Sequence, residues 1–318
     1  MTAGSSAMRA TMARQPTDLR ILLRDLDPVA AAADRLAGKR LVLVGTGTSW
    51  HAANHGVWLL REAGVAATAV QAMDAALWGV PAGPGDAVVV MSHRNTKRFS
   101  SETLEHLRRD GVPTVVIGGV GSPGVDVETV EQELSAAFTA SHLGALLRLA
   151  ELANALGARL DLASVPDAVE AVLSGPSPQV SAPKRLLELT GTGANQWTAA
   201  EGALKARETS RVATSGLSVE QLYHGPQVCL GAADALVCLD GGGPGVERLE
   251  SVASAAERSG IRVHRIVERS LPEALSIFPL TAAVQRIALE LAEDLGTDPD
   301  AFGADVPGRK EAWADVRL

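Results

Sequence analysis

The stretch Glu201-Gly202-Ala203-Leu204-Lys205-Ala206-Arg207-Glu208 has the residue types and spacing for proton chemistry. Glu201, Lys205 and Glu208 are separated by four and three residues, so on a helix they project from one face. Interconverting an aldose and a ketose moves a proton between adjacent carbons, and a carboxylate such as Glu208 can shuttle it if burial or neighbouring groups strengthen its hold on that proton. Lys205 can stabilise the enolate oxygen by charge. The plainer alternative is an exposed Glu–Lys pair contributing ~0.3 to 0.5 kcal/mol to a helix. Further along, Tyr223-His224-Gly225-Pro226 places a histidine before a Gly-Pro turn. Such a turn exposes an imidazole suited to moving protons during sugar-ring opening, although a lone histidine usually just hydrogen-bonds locally.

Two loops have the composition of an anion cradle. Thr46-Gly47-Thr48-Ser49 and Ser92-His93-Arg94-Asn95-Thr96 each follow an apolar run and precede a helical pattern. Backbone N–H groups, hydroxyls and the positive end of a helix then converge where a phosphate monoester can bind. Arg94 adds a charged fork for phosphate oxygens. Alternatively, the Ser and Thr side chains merely cap two helices. A dinucleotide site is the weaker reading, since Gly45-Thr46-Gly47-Thr48-Ser49-Trp50 lacks the third glycine of GxGxxG. His51 and His55 stand four apart, but the glutamate of HExxH is missing and no third ligand is evident, so no metal site is expected.

The elements that must position these residues alternate. Residues 16–37 read as helical, 40–44 as a strand, and the chain is then helical to about Glu62 with a stop at Gly64. The pattern recurs with a strand at 87–91, a helix ending near Gly111 and a strand at 112–118, which predicts a parallel sheet covered on both faces. A helical segment over 137–156 and an exposed connector at 174–178 follow. The pattern restarts with a strand at 186–189, Gly191-Thr192-Gly193 and a helix over 197–209, then strands at 235–239 and 261–267 and a helix over 279–295. The echo of Gly-Thr-Gly at 45–47 and 191–193 suggests two copies of one fold. In the second copy Asp240-Gly241-Gly242-Gly243-Pro244 offers no hydroxyls, which leaves the first copy as the phosphate holder.

Bulk properties narrow the function classes. A length of 318 residues suits two domains. The formal charge of -8 and the 3% aromatic content disfavour a nucleic-acid partner. Cys229 and Cys238 form no CxxC, so a disulfide framework or structural zinc is not expected. No uninterrupted apolar run reaches ~18 residues and no signal peptide is evident, which predicts a cytoplasmic protein with no membrane partner.

Taken together these residues resemble the isomerase half of glucosamine-6-phosphate synthase and its relatives among double-SIS (sugar isomerase) phosphosugar isomerases, deaminases and deglycases. The resemblance runs from about residue 15 to 300. Residues 45–52 resemble the family's GxGTSxxA loop, Ala137-Phe138-Thr139 its AFT helix start and 201–208 its EGALKxxE, and the interval from Glu208 to His224 agrees with the family spacing. The resemblance implies two flavodoxin-like SIS domains, each a parallel sheet flanked by helices, over 41–160 and 181–295. A helical segment would precede them, a linker over 161–180 would join them and a tail over 296–318 would follow. It also implies that Ser92, His93, Arg94 and Thr96 hold phosphate, that Thr46, Gly47, Thr48 and Ser49 line the sugar, and that Lys205 and Glu208 attend carbons 1 and 2. His224 would come from a neighbouring subunit, and hence a homodimer is implied.

The departures from the family bear on function. The phosphate loop reads Ser92-His93-Arg94-Asn95-Thr96 where the family has SxSGET, and Ala136 replaces the lysine of STKAF. The family's terminal Schiff-base lysine has no ungapped match, which leaves Lys310 as a weak candidate. No glutaminase domain or early cysteine is seen, so this chain is not expected to draw ammonia from glutamine itself. The expected function is a phosphosugar isomerase or aminosugar-phosphate deaminase with no metal or redox cofactor. The alternatives are a fructosamine-phosphate deglycase and a non-catalytic sugar-phosphate sensor.

Overall fold

The computed structural model describes residues 6–316. The chain forms two compact units that are not sequential. One contains residues 15–133, 140–163 and 306–316, and the other 6–14, 134–139 and 164–305. The first carries β1 (Arg40–Gly45), β2 (Ala67–Gln71), β3 (Asp86–Met91), β4 (Thr114–Gly118) and β5 (Val127–Glu128) in the order β2-β1-β3-β4-β5, all pairs parallel. The second carries β6 (Leu187–Gly191), β7 (Thr214–Ser218), β8 (Ala235–Asp240) and β9 (Arg262–Val267) in the order β7-β6-β8-β9, again all parallel. Each sheet therefore begins at an interior strand and reverses direction between its first and third strands.

Helices cover both faces of each sheet. Preceding β1 are α1 (Ala7–Leu22) and α2 (Asp27–Leu36), and the first sheet is wound by α3 (Thr48–Glu62), α4 (Ala72–Trp78), α5 (Arg98–Arg109) and α6 (Ala140–Ala155). The second sheet is wound by α7 (Val165–Ser174), α8 (Asn195–Ser210), α9 (Val219–Tyr223), α10 (Val246–Arg258) and α11 (Glu273–Asp294), and a short α12 (Arg309–Ala312) ends the chain. A strand buried on both faces is a near-continuous apolar run, and successive side chains go to opposite helical layers. Val42 and Val44 of β1 join Val88, Val90 and Val116 against α4 and α5. Leu43 points the other way, so close to α3 that a Cβ on Gly56 would lie 2.5 Å from it. In the second sheet Leu187, Leu189, Val237 and Leu239 pack on Ala199, Ala203, Leu280 and Val284 of α8 and α11, while Leu236 and Cys238 meet α9 and α10.

The structure alters several sequence expectations. The predicted helix over 16–37 is two helices, and the first runs from Ala7 straight through Pro16. Pro279 lies inside α11, which begins at Glu273 after Pro272. The expected linker over 161–180 contains α7, which packs against α11. Segments 134–139 and 6–14 fold with the second sheet, so the chain crosses between units more than once and a linear division misses this. α11 is long and apolar enough to cross a bilayer by length and composition, but 83% of its most apolar window is buried in the protein. It is a core helix.

Candidate functional site

In an open parallel sheet, two loops leave in opposite directions where the strand order reverses, and the gap between them at the carboxyl ends of the strands is the usual ligand crevice. In the first sheet that point lies between β1 and β3. The loops that leave it are 46–47, with Thr48 and Ser49 in the first turn of α3, and Ser92 to Lys97 before α5. Neither helix has a side-chain N-cap: the capping positions are Gly47 and Lys97, with no side-chain cap bond at either. Side-chain capping at these positions thus does not account for the hydroxyls. Gly47 has φ 58° and ψ -127°, a conformation that favours glycine, and nothing approaches its missing side chain within 4 Å. Gly45 is equally constrained, since a Cβ there would sit 2.3 Å from the Ser49 carbonyl oxygen.

The second loop is held from below. Ser92 donates its N–H to Ile117 at 3.0 Å, and the Asn95 N–H closes a turn on the Ser92 carbonyl at 3.1 Å. Asn95, at φ 47°, also donates through Nδ2 to the Pro123 carbonyl at 2.6 Å. The His93 carbonyl accepts from the Gly119 N–H at 2.7 Å and the Ser122 hydroxyl at 2.8 Å, and its ring packs on Gly119. Burial pushes the imidazole towards its neutral form, and Arg94 adds to that while Glu133 opposes it. Ser92 is buried, His93 half-buried, and Arg94 and Thr96 are exposed. The loop is thus a fixed turn that presents a guanidinium and a hydroxyl outward.

The matching point of the second sheet is filled by the protein itself. Asp240 accepts from the Gly242 N–H at 2.9 Å and pairs with Arg269. A Cβ on Gly243 would fall 2.0 Å from the Glu273 carboxylate, and one on Gly245 would fall 2.6 Å from Thr192. Gly242 and Gly243 have φ 83° and 86°, and the Glu273 carboxylate lies against Gly243 in this turn.

Glu201, Lys205 and Glu208 do share one face of α8, and that face is inside. Lys205 is fully buried, with Nζ 2.6 Å from Glu208 Oε2 and 3.5 Å from Glu201 Oε1. The Glu201 side chain is 0% exposed and that of Glu208 15%. Two carboxylates face one ammonium, an arrangement that a solvated helix pair does not need. The helix can come this close because Gly202 packs directly on Leu189 and Val284. Thr209 fixes it to α11, its hydroxyl contacting the carbonyls of Lys205 at 2.9 Å and Ala288 at 3.0 Å.

His224 ends α9, and Gly225 at φ 140° turns the chain immediately after it. Its side chain is 65% exposed, yet Nε2 lies 2.7 Å from Glu220 Oε1. Arg248 grips the same carboxylate through Nε at 2.9 Å and Nη2 at 3.2 Å, and its guanidinium lies 4.3 Å over the Tyr223 ring. Sequence reading missed Glu220 and Arg248. The spacing of four between Glu220 and His224 was an available signal, but nothing in sequence links either to Arg248. Lys310 is exposed on α12, so it lacks the desolvation that imine chemistry would draw on. His55 is buried with its ring 5.8 Å from that of His142, and among the described residues no group of three metal-ligating side chains gathers. A cavity of 600 Å³ lined by Val80, Pro84, His106 and Pro113 lies where the chain enters β3 and β4, at the other end of those strands from the crevice loops.

Comparison with known proteins matches this picture. The family model of the SIS domain matches residues 37–124. A glutamine–fructose-6-phosphate aminotransferase (isomerizing) from Pyrococcus horikoshii is 23% identical over 298 residues, covering 82% of this chain and 50% of that protein. The chain thus spans about half the length of that curated relative. Among solved structures, tagatose-6-phosphate ketose/aldose isomerase from Escherichia coli superposes with a TM-score of 0.77 at 18% identity, over 95% of this chain and 97% of that one. Glucosamine-6-phosphate deaminase from Thermotoga maritima gives 0.74 at 16% identity, over 93% and 97%. The family model of the SIS domain falls on the sheet whose strand ends carry Thr46 to Ser49 and Ser92 to Thr96, so residues 37–124 of this chain are similar to a SIS domain.

Proposed function

We propose that the chain is a phosphosugar isomerase or aminosugar-phosphate deaminase that takes a hexose or hexosamine 6-phosphate and moves a proton between C1 and C2. The observation that carries this reading is the buried Glu201–Lys205–Glu208 group, with Nζ 2.6 Å from the Glu208 carboxylate. A binding protein needs an anion cradle but gains nothing from placing a second carboxylate beside one buried lysine. In the proposed reaction the Glu208 carboxylate removes the hydrogen next to the sugar carbonyl and returns it to the neighbouring carbon. The Lys205 ammonium stabilises the enediolate oxygen formed between those steps. Ser92, Arg94 and Thr96 hold the phosphate, Thr46, Thr48 and Ser49 line the sugar, and His224 opens its ring. The exposure of His224, together with Tyr223 at 49% and Val228 at 79%, supports its donation across a homodimer.

The test is exchange of the C1 or C2 hydrogen with deuterated water over a panel of hexose and hexosamine 6-phosphates. Exchange by the wild-type chain that disappears in Glu208→Gln supports the reading. Exchange undiminished in that variant removes Glu208 as the base. Tight binding with no exchange of any ligand would favour a sugar-phosphate sensor.

A further inference from the structure

We propose that Glu220, clamped by Arg248, is the positioning residue that holds His224 in one tautomer for ring opening. The inference rests on the proposed role of His224 and extends it to Glu220 and Arg248, which lie outside the Glu201 to Glu208 stretch and the His224-Gly225-Pro226 turn. An exposed imidazole is free to rotate, and it exists as two neutral tautomers, of which one presents a basic nitrogen at Nδ1 and the other at Nε2. A carboxylate fixed at one nitrogen settles both choices, because it accepts only from an N–H.

Three observations converge on that arrangement. Glu220 Oε1 lies 2.7 Å from Nε2, which assigns the proton to Nε2 and leaves Nδ1 as the base. The carboxylate is itself immobilised, since Arg248 reaches both of its oxygens, at 2.9 Å and 3.2 Å. Arg248 is held in turn by stacking on Tyr223, whose ring meets the His224 ring edge-on with centroids 5.6 Å apart. The Arg248 and His224 hydrogen bonds together keep Glu220 ionised well into the acid range. Four side chains thus form a closed set around one imidazole at the end of a five-residue helix, which Ser218 caps through the Gln221 N–H at 3.2 Å.

The chemistry that needs this is limited to one step. Opening fructose 6-phosphate breaks the C2–O5 bond, while one proton leaves the anomeric hydroxyl and one arrives at O5, so nothing is gained or lost overall. Nδ1 takes the first proton, and the Glu220 carboxylate stabilises the imidazolium that exists until the second is delivered. Hydrogen transfer between C1 and C2 of an open chain makes no use of that imidazolium.

The test compares fructose 6-phosphate with 5-deoxyfructose 6-phosphate, which has no O5 and whose O6 carries the phosphate, so it stays open. C1 hydrogen exchange into deuterated water is followed for wild type, Glu220→Ala, Glu220→Gln, Arg248→Ala and His224→Ala. The expected result for Glu220→Ala is a fall of at least tenfold in kcat on the cyclic sugar with KM within twofold, and exchange of the open analogue within twofold of wild type. Glu220→Gln, which can still accept from Nε2–H, should recover part of the loss, and Arg248→Ala should fall between the two. Unchanged turnover of the cyclic sugar by Glu220→Ala, while His224→Ala loses it, overturns the role of Glu220 alone. Equal loss on both substrates also overturns it and marks Glu220 as a structural residue. Full activity of His224→Ala on the cyclic sugar overturns the reading of His224 and this inference with it.

Discussion

Replacing Lys205 with methionine tests whether the buried group on α8 is a coupled charge unit. At an effective dielectric of about 20, an ammonium 2.6 Å from Glu208 and 3.5 Å from Glu201 gains ~6 and ~5 kcal/mol of gross attraction. Desolvation of the lysine offsets much of that, so its net worth is far smaller. Removing it leaves two carboxylates facing each other, one fully buried and one nearly so, and breaking a buried pair on one side costs ~3 to 5 kcal/mol. For a chain of this size that corresponds to a fall in Tm on the order of 10 °C. The decisive comparison is the triple variant Glu201→Gln, Lys205→Met and Glu208→Gln. It removes more hydrogen bonds than the single change, yet leaves no buried charge, so it should regain at least half of the lost stability while remaining inactive in hydrogen exchange. Thermal unfolding followed by circular dichroism reads both. If Lys205→Met unfolds within 2 °C of wild type, or the triple variant is no more stable than the single one, the three charges are not a coupled unit.

Two further outcomes follow from the same geometry. Arg94→Ala should weaken binding of fructose 6-phosphate about tenfold by calorimetry, since a charged hydrogen bond to phosphate is worth ~1.5 to 3 kcal/mol; an unchanged Kd would mean that backbone N–H groups and hydroxyls hold the anion without it. Glu188 on β6 is buried and pushed up from its ordinary 4.5 to about 7, chiefly by desolvation, with a Ser215 hydrogen bond and Arg207 pulling the other way. The folded state therefore binds more protons than the unfolded one across that window, so this group's contribution is full below 4.5 and is lost as pH rises towards 7 and above. Glu188→Gln should flatten the decline and be more stable than wild type at pH ~8 by about 3 kcal/mol, with little difference at pH ~4. Urea denaturation at the two pH values checks this, and an equal difference at both would refute the assignment.

The fold was legible where burial leaves a direct trace in composition. Arg40 to Gly45 and Asp86 to Met91 are central parallel strands, so their apolar runs could be little else. The edge strands were not legible. Ala67 to Gln71 is only partly buried, and Thr214 to Ser218 contains Ser, Gly and Thr, so each is a strand because β1 or β6 pairs with it. In the candidate site, spacing alone put Glu201, Lys205 and Glu208 on one face. Their burial could not be read, because it depends on Leu189 and Val284 closing over Gly202 from distant parts of the chain. The Arg248 grip on Glu220 likewise joins residues 28 apart, with no periodicity to announce it.

A topology used twice need not do the same work twice. Both sheets reverse between their first and third strands, and both therefore create a crevice lined by glycine-rich turns. In the first, Gly47 faces open space and neither Gly47 nor Lys97 makes a side-chain cap bond, so the turns leave room for an anion at the helix N-termini. In the second, the Glu273 carboxylate and Thr192 lie against Gly243 and Gly245, and that room is filled internally. What the second copy retains is the helix after its first strand, which carries charge into the interior instead of anion-binding groups to the rim. Substituting Glu273 alone would thus not be enough to recreate a phosphate site there, because Asp240 would still face any incoming anion with Arg269 already engaged.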